Sequence, residues 1–251
     1  MIPRNRLKSV IKRQSGFTLM ELLVVIAIIV ILTVLLIPVL SRSKNSAQRL
    51  VCASNLKQVG VAAKMYVDEH ESTFPNSQLP SGYWRTNGIH LSCIYKSQVK
   101  IYLGLTGPSS PNDKVFACPA DKFYNILTTN VYIPRGMHEE MESDYSSYFY
   151  NTINLSPLRR GLGGIGGLKE SDIAEPVKTV LICEAPAPVP YSWHKPQAEL
   201  EFNNARNQIS FVDGHVDYIA IYYNSSITNA PNRLSQSYDP PPSYQYRWSA
   251  R

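Results

Sequence analysis

Hydrophobic and polar positions divide the chain into three regimes. From Phe17 to Leu40 the sequence reads FTLMELLVVIAIIVILTVLLIPVL, with Glu21 its single charge. As a helix rising 1.5 Å per residue, this run reaches roughly 36 Å, enough to cross the ~30 Å hydrocarbon core of a bilayer. Residues 41–72 continue the helix in amphipathic form. Cys52, Leu56, Val59, Ala63 and Tyr66 recur at spacings of four, three, four and three, and Ser54, Asn55, Lys57, Gln58 and Lys64 occupy much of the remainder. The helix is expected to end between Glu71 and Pro75, about 80 Å from its start at Phe17.

From residue 73 the helical period gives way to strand signals. Ile209 to Ile219 (ISFVDGHVDYI) sets β-rich runs on either side of Asp213-Gly214, a pair that tolerates the positive φ angles of a type I′ turn. This predicts a hairpin. Val177 to Cys183 (VKTVLIC) reads as a buried strand. Packed on the helical stripe, these strands give an α+β head over residues 73–223, a small antiparallel sheet with long loops. Four prolines between residues 185 and 200 call for irregular structure. Gly161 to Gly167 (GLGGIGG) lacks the Lys-Ser/Thr ending of a phosphate loop and reads as a flexible loop. Residues 224–251 form a Pro/Ser/Tyr-biased tail with no evident apolar period, expected to be loosely ordered.

Composition narrows the class. With 44% hydrophobic and 18% charged residues, the 251-residue chain is neither disordered nor a multi-span membrane protein, while 18 Pro and 13 Gly promise loops. The formal charge of +6 comes largely from Arg4, Arg6, Lys8, Lys12 and Arg13; with those five set aside it falls to +1. No basic stripe remains to track a phosphate backbone, so nucleic acid is not an expected partner. A secretory signal fits poorly. The apolar run exceeds the usual 7 to 15 residues, Ser41-Arg42-Ser43 is a poor cleavage site, and Glu21 is costly in lipid without a partner.

The string Ser15-Gly16-Phe17-Thr18-Leu19-Met20-Glu21-Leu22-Leu23-Val24-Val25 closely resembles the class III signal of type IV pilins and type II secretion pseudopilins. In that family a prepilin peptidase cuts after the glycine and methylates the new amino terminus. The resemblance implies a basic leader over residues 1–16, a cut between Gly16 and Phe17, and an N-methylated Phe17. It also implies that Glu21 pairs with the amino-terminal amine of a neighbouring subunit, and that Pro38 loosens the helix by removing one N–H from its ladder. The expected partners are the prepilin peptidase, other pilin or pseudopilin subunits through the helix, and membrane lipid. The implied location is the cytoplasmic membrane, with a single pass, a cytoplasmic amino terminus and a periplasmic or extracellular head.

Shorter motifs point to pseudopilin-like proteins that share a processing-associated carboxy-terminal domain. Cys52 to Pro75 carries C-x-x-N-L-K-Q-x-G…Y-x-x-D…F-P; Phe116 to Asp121 reads FACPAD; Ser147 to Asn151 reads SYFYN. Asn207 to Tyr218 resembles the end of that domain's signature, His, nine residues, Asp-Gly. Asn203 stands where the signature has its histidine.

Candidate chemistry is sparse. Cys52, Cys93, Cys118 and Cys183 show no C-x-x-C pairing, which argues against a zinc knuckle. In a head outside the cytoplasm one disulfide is expected. Cys52–Cys118 is preferred because Cys52 lies on the buried helical face and Cys118 precedes Pro119; buried free thiols are the alternative. Asp213, Asp217 and Glu184 could offer oxygen ligands to calcium, although Asp in an Asp-Gly turn more often serves turn geometry, and no EF-hand loop occurs. No metal or cofactor is therefore expected, with calcium at Asp213 and Asp217 held as the alternative. His194 and His215 read as packing or surface residues, and with no G-x-S-x-G or H-E-x-x-H the chain is not expected to be an enzyme. The leading expectation is a structural subunit of a type II secretion pseudopilus or type IV pilus-like filament. The alternative is a membrane-anchored extracytoplasmic binding protein for polysaccharide or another surface ligand.

Overall fold

The computed structural model describes residues 17–76, 85–86, 89–90, 93–126, 131–152, 164–189, 191–195, 203–224 and 238–250. The chain divides into two compact units at Lys44/Asn45. Helix α1 (Leu19–Glu69) begins in the first and ends in the second. In the first unit every described residue is exposed, from Phe17 onwards. The helix is assigned through Pro38, and the Thr33 hydroxyl is satisfied internally by donating to the Ile29 carbonyl at 2.7 Å.

In the second unit α1 buries Cys52, Leu56, Val59, Gly60, Ala62, Ala63 and Val67. Tyr66 lies at the edge of that stripe, half-buried and stacked on His70 with ring centroids 3.7 Å apart. Glu71 and Ser72 take positive φ angles of 51° and 58°, which halts the helix. The Ser72 N–H then caps the Val67 carbonyl at 3.0 Å.

Two short antiparallel pairs precede the main sheet: β1 (Arg85–Thr86) with β2 (Ile89–His90), and β3 (Tyr124–Ile126) with β4 (Val131–Ile133). A short helix, α2 (Tyr95–Val99), lies between them in the chain. The main sheet runs in the order β5 (Tyr148–Tyr150), β6 (Val180–Glu184), β7 (Ala205–Phe211), β8 (Val216–Ile221), with every neighbour antiparallel. It is open and small, as the α+β expectation required. One core cluster joins Cys52, Leu56, Val59 and Ala63 of α1 to Tyr148, Tyr150, Leu181 and Ile182. A second joins Val180, Ile209, Phe211 and Ile221 to Tyr246 and Trp248. Covered by both clusters, all five residues of β6 are buried, and the strand starts only after the turn in which the Lys178 and Thr179 N–H groups bond the Glu175 carbonyl.

Three local expectations are corrected. The Asp213-Gly214 turn is not type I′: Gly214 alone takes positive φ, at 89°. The Gly214 N–H bonds the Phe211 carbonyl and the Phe211 N–H bonds the His215 carbonyl, each at 2.9 Å, so a type I turn is followed by a left-handed glycine in a three-residue loop. The glycine-rich segment, of which 164–167 is described, is pinned rather than flexible. Ile165 is fully buried in the core, and its N–H bonds the Asn151 carbonyl at 2.9 Å. Finally, residues 238–250 of the tail are not loose, because Tyr246, Trp248 and Ala250 are buried and Arg247 bridges Thr179 in parallel.

Candidate functional site

At the amino terminus, Gly16 lies outside the described residues and Phe17 is exposed. The first turn of α1 is a capping box. Thr18 sits at the N-cap and Glu21 at the third helical position, each satisfying the other's backbone N–H. Behind this turn, the large apolar side chains from Leu19 to Leu40 are 44–77% exposed. A continuous apolar surface of this kind has no stable place in water and requires lipid or another helix. The helix is long and apolar enough to cross a membrane, which supports membrane anchoring.

In the head, Cys52 of α1 and Cys118 are joined by a disulfide with Cα atoms 5.1 Å apart. Two charged-type residues that sequence reading left apart meet this bridge. Glu184, the last residue of β6, and His194, from the proline-rich segment, are both buried, with His194 Nε2 2.8 Å from Glu184 Oε1. Cys118 Sγ lies 3.6 Å from Glu184 Oε1 and 3.8 Å from His194 Nε2. As a disulfide sulfur it carries no hydrogen, so neither contact is a donated hydrogen bond. The second carboxylate oxygen, Oε2, accepts the Gln208 N–H of β7 at 2.9 Å. Cys93 and Cys183 are free and buried, and burial pushes both thiols well up in pKa.

The short motifs prove to be structural neighbours. Asp121, which ends FACPAD, accepts the Met137 and His138 N–H groups at 2.9 and 3.0 Å and the Ser147 hydroxyl at 2.7 Å. Ser147 Oγ in turn accepts the Cys118 N–H at 2.9 Å, which fixes the residue beside the bridge. A further contact, His138 Nδ1 to Asp121 at 3.1 Å, raises the His138 pKa above its ordinary value. Asn151, ending SYFYN, donates to the carbonyls of Val180 and Trp248 at 2.8 and 2.9 Å, tying the sheet to the tail.

The carboxylates considered for calcium do not converge. Asp213 Oδ1 holds the His215 N–H and lies 2.6 Å from its Nδ1, Asp217 Oδ1 holds the Tyr218 N–H, and Glu184 is engaged with His194 and Gln208. Asn203, at the signature-histidine position, accepts the Tyr223 N–H at 2.9 Å. Among the described residues, the one group of His, Cys, Asp and Glu side chains with converging ligand atoms is Cys52, Cys118, Glu184 and His194. Its sequence separations of 66 and 10 residues gave no short-range signal.

A family model described as the prokaryotic N-terminal methylation motif matches residues 11–37. The chain is 33% identical, over 93 residues, to the ComG operon protein 3 homolog of Bacillus licheniformis; the match covers 36% of this chain and 93% of that protein. No solved structure matches the chain.

Proposed function

The chain belongs to the pilin-like family that carries the prokaryotic N-terminal methylation motif, and we propose that it is a subunit of a type II secretion pseudopilus or a type IV pilus-like filament. A general pilin- or pseudopilin-like structural role, without enzymatic chemistry, follows from the motif and the fold; the particular machine is the proposal. A prepilin peptidase cuts between Gly16 and Phe17 and methylates Phe17. The helix then holds the subunit in the cytoplasmic membrane, its head periplasmic or extracellular, until assembly exchanges lipid contacts for neighbouring helices. On assembly Glu21 turns from Thr18 to the amine of an adjacent subunit, a charge-assisted contact in a low-dielectric bundle.

The observation that carries this reading is the exposed apolar stretch of α1 from Leu19 to Leu40, capped at Thr18 immediately behind the Gly16-Phe17 junction. The alternative of a surface-ligand receptor gains little from the tail, whose Tyr246 and Trp248 are buried against the sheet. The test is peptide mass spectrometry of residues 10–50 on protein isolated from its host membrane. N-methylated Phe17 is expected. An intact leader leaves an anchored protein outside any filament, and a start beyond Leu40 marks a cleaved secretory signal; either result overturns the proposal.

A further inference from the structure

We propose that, when Cys52 and Cys118 are reduced, the head binds a zinc ion between them, with Glu184 and His194 completing a four-coordinate site. The four candidate ligand atoms lie within 4.8 Å of one another and all four residues are buried. Zinc–sulfur bonds of about 2.3 Å and zinc–nitrogen or zinc–oxygen bonds of about 2.0–2.1 Å place tetrahedral donors roughly 3.3–3.8 Å apart. Cys118 Sγ already stands 3.6 Å from Glu184 Oε1 and 3.8 Å from His194 Nε2. Of the separations set by the disulfide and these three contacts, two must widen, and both belong to pairs now linked directly: the disulfide itself, and the 2.8 Å contact of His194 with Glu184. The ion would enter by replacing one covalent bond and one hydrogen bond.

The composition of the cluster supports this use. A disulfide has neither charge nor hydrogen to offer, so it gives a fully buried carboxylate no compensation. Two thiolates, an imidazole and a carboxylate are all zinc ligands. The Gln208 N–H on Glu184 Oε2 leaves Oε1 facing the sulfur and the imidazole, as an orienting group outside the ligand set does in metal sites. Zn2+ with two thiolates sums to zero charge, as the disulfide does, so the exchange adds no net charge to the buried cluster.

The exchange balances as follows. A dithiol reductant gives two electrons to the Cys52–Cys118 bond and becomes a disulfide; the S–S bond breaks to two thiolates, which bind Zn2+ without changing its oxidation state. Two protons from the dithiol pass to solvent, and the imidazole binds the ion through Nε2 in the tautomer that carries its proton on Nδ1. Disulfide exchange with an oxidised dithiol reverses each step and releases the ion.

The test uses the full-length chain in detergent, unfolded, reduced with a phosphine, and refolded anaerobically with Co2+ as the probe and then Zn2+. Expected is one Co2+ per chain, with thiolate-to-metal charge transfer and tetrahedral d–d bands that Zn2+ abolishes, and no such bands from the oxidised chain. Cys93→Ser/Cys183→Ser should keep the signal and Cys52→Ser/Cys118→Ser should lose it. Glu184→Gln and His194→Gln should weaken binding at least about tenfold, and circular dichroism of their disulfide forms establishes that they fold. A reduced chain that takes up no stoichiometric metal, one that stays unfolded with metal present, or bands that persist in Cys52→Ser/Cys118→Ser would each overturn the proposal.

Discussion

Thr18 and Glu21 close a reciprocal pair of hydrogen bonds at the start of α1. The Thr18 N–H donates to Glu21 Oε2 at 2.9 Å and the Glu21 N–H donates to Thr18 Oγ1 at 3.2 Å. The carboxylate thus has a local duty besides the intersubunit pairing proposed for it, and two substitutions separate the duties. Glu21→Gln keeps a side chain that can close the box but removes the charge; Thr18→Ala keeps the charge and removes the cap, at a cost of about 1 kcal/mol. We expect Thr18→Ala subunits to be recovered in sheared filaments and Glu21→Gln subunits to remain in the membrane. If Glu21 served only as a cap, the order would reverse.

Gly60 lets α1 pack closely on β7, since a Cβ there would stand 2.8 Å from Ser210 Oγ. That hydroxyl is buried and finds no hydrogen-bond partner among the described residues. Gly60→Ala gains about 1 kcal/mol in helix propensity but crowds Ser210, for a net loss of about 1 kcal/mol. In a Ser210→Ala background the crowding is gone, and the same change should stabilise by up to about 1 kcal/mol. Urea unfolding of the four chains in detergent measures the coupling. Simple additivity would show that the two residues are not in contact.

Legibility in the sequence followed the range of the forces involved. The apolar run at 17–40 and the stripe through Cys52, Leu56, Val59 and Ala63 announce themselves through local periodicity, and the strand expected at Val177 to Cys183 forms at Val180–Glu184, with Val177 exposed. The position of the β7–β8 turn was legible too. Its type was not, because Asp-Gly suits both turns and the choice rests on whether Phe211 pairs with His215. The tail carries a strand-like signal at its end: Tyr244, Tyr246, Trp248 and Ala250 alternate, and the last three are buried. The Thr-x-x-Glu box at Thr18 was readable as a cap but was masked by its family meaning. The Glu184–His194 contact with the disulfide had no local signature, since an irregular segment with four prolines delivers the histidine.

His138 should give stability a pH dependence of a defined sign. Its hydrogen bond with Asp121 is the main cause of a folded-state pKa above the ordinary 6.5, against a smaller opposing effect of burial. A raised histidine pKa means that the charged pair contributes fully below 6.5 and that this contribution is lost as the pH rises through the higher folded-state value. The ring is partly open to solvent, so the amount should stay below about 1 kcal/mol. Thermal unfolding of the full chain between pH 6 and 8.5, roughly the span of a perturbed histidine, should show a decline that His138→Gln removes. An unchanged slope in His138→Gln would assign the decline to another group.

Trp248 decides whether the tail belongs to the head. Its side chain is buried with Val180, Ile209, Phe211 and Ile221, the apolar face of β6, β7 and β8 turned away from α1. Its backbone is held independently: the Trp248 N–H reaches Asp239 Oδ1 at 2.6 Å, and its carbonyl accepts from Asn151 at 2.9 Å. Trp248→Ala should therefore cost about 3–5 kcal/mol, the range for emptying a packed aromatic site, while leaving the tail path in place. Tyr244, half-buried at the rim of the same cluster, should cost under about 1.5 kcal/mol on truncation to Ala. A tail that merely lies over the surface would give two small, similar values by urea unfolding. A large and unequal pair instead means that the sheet has no dry second face without residues 238–250, because Trp248 and Tyr246 together cover that face.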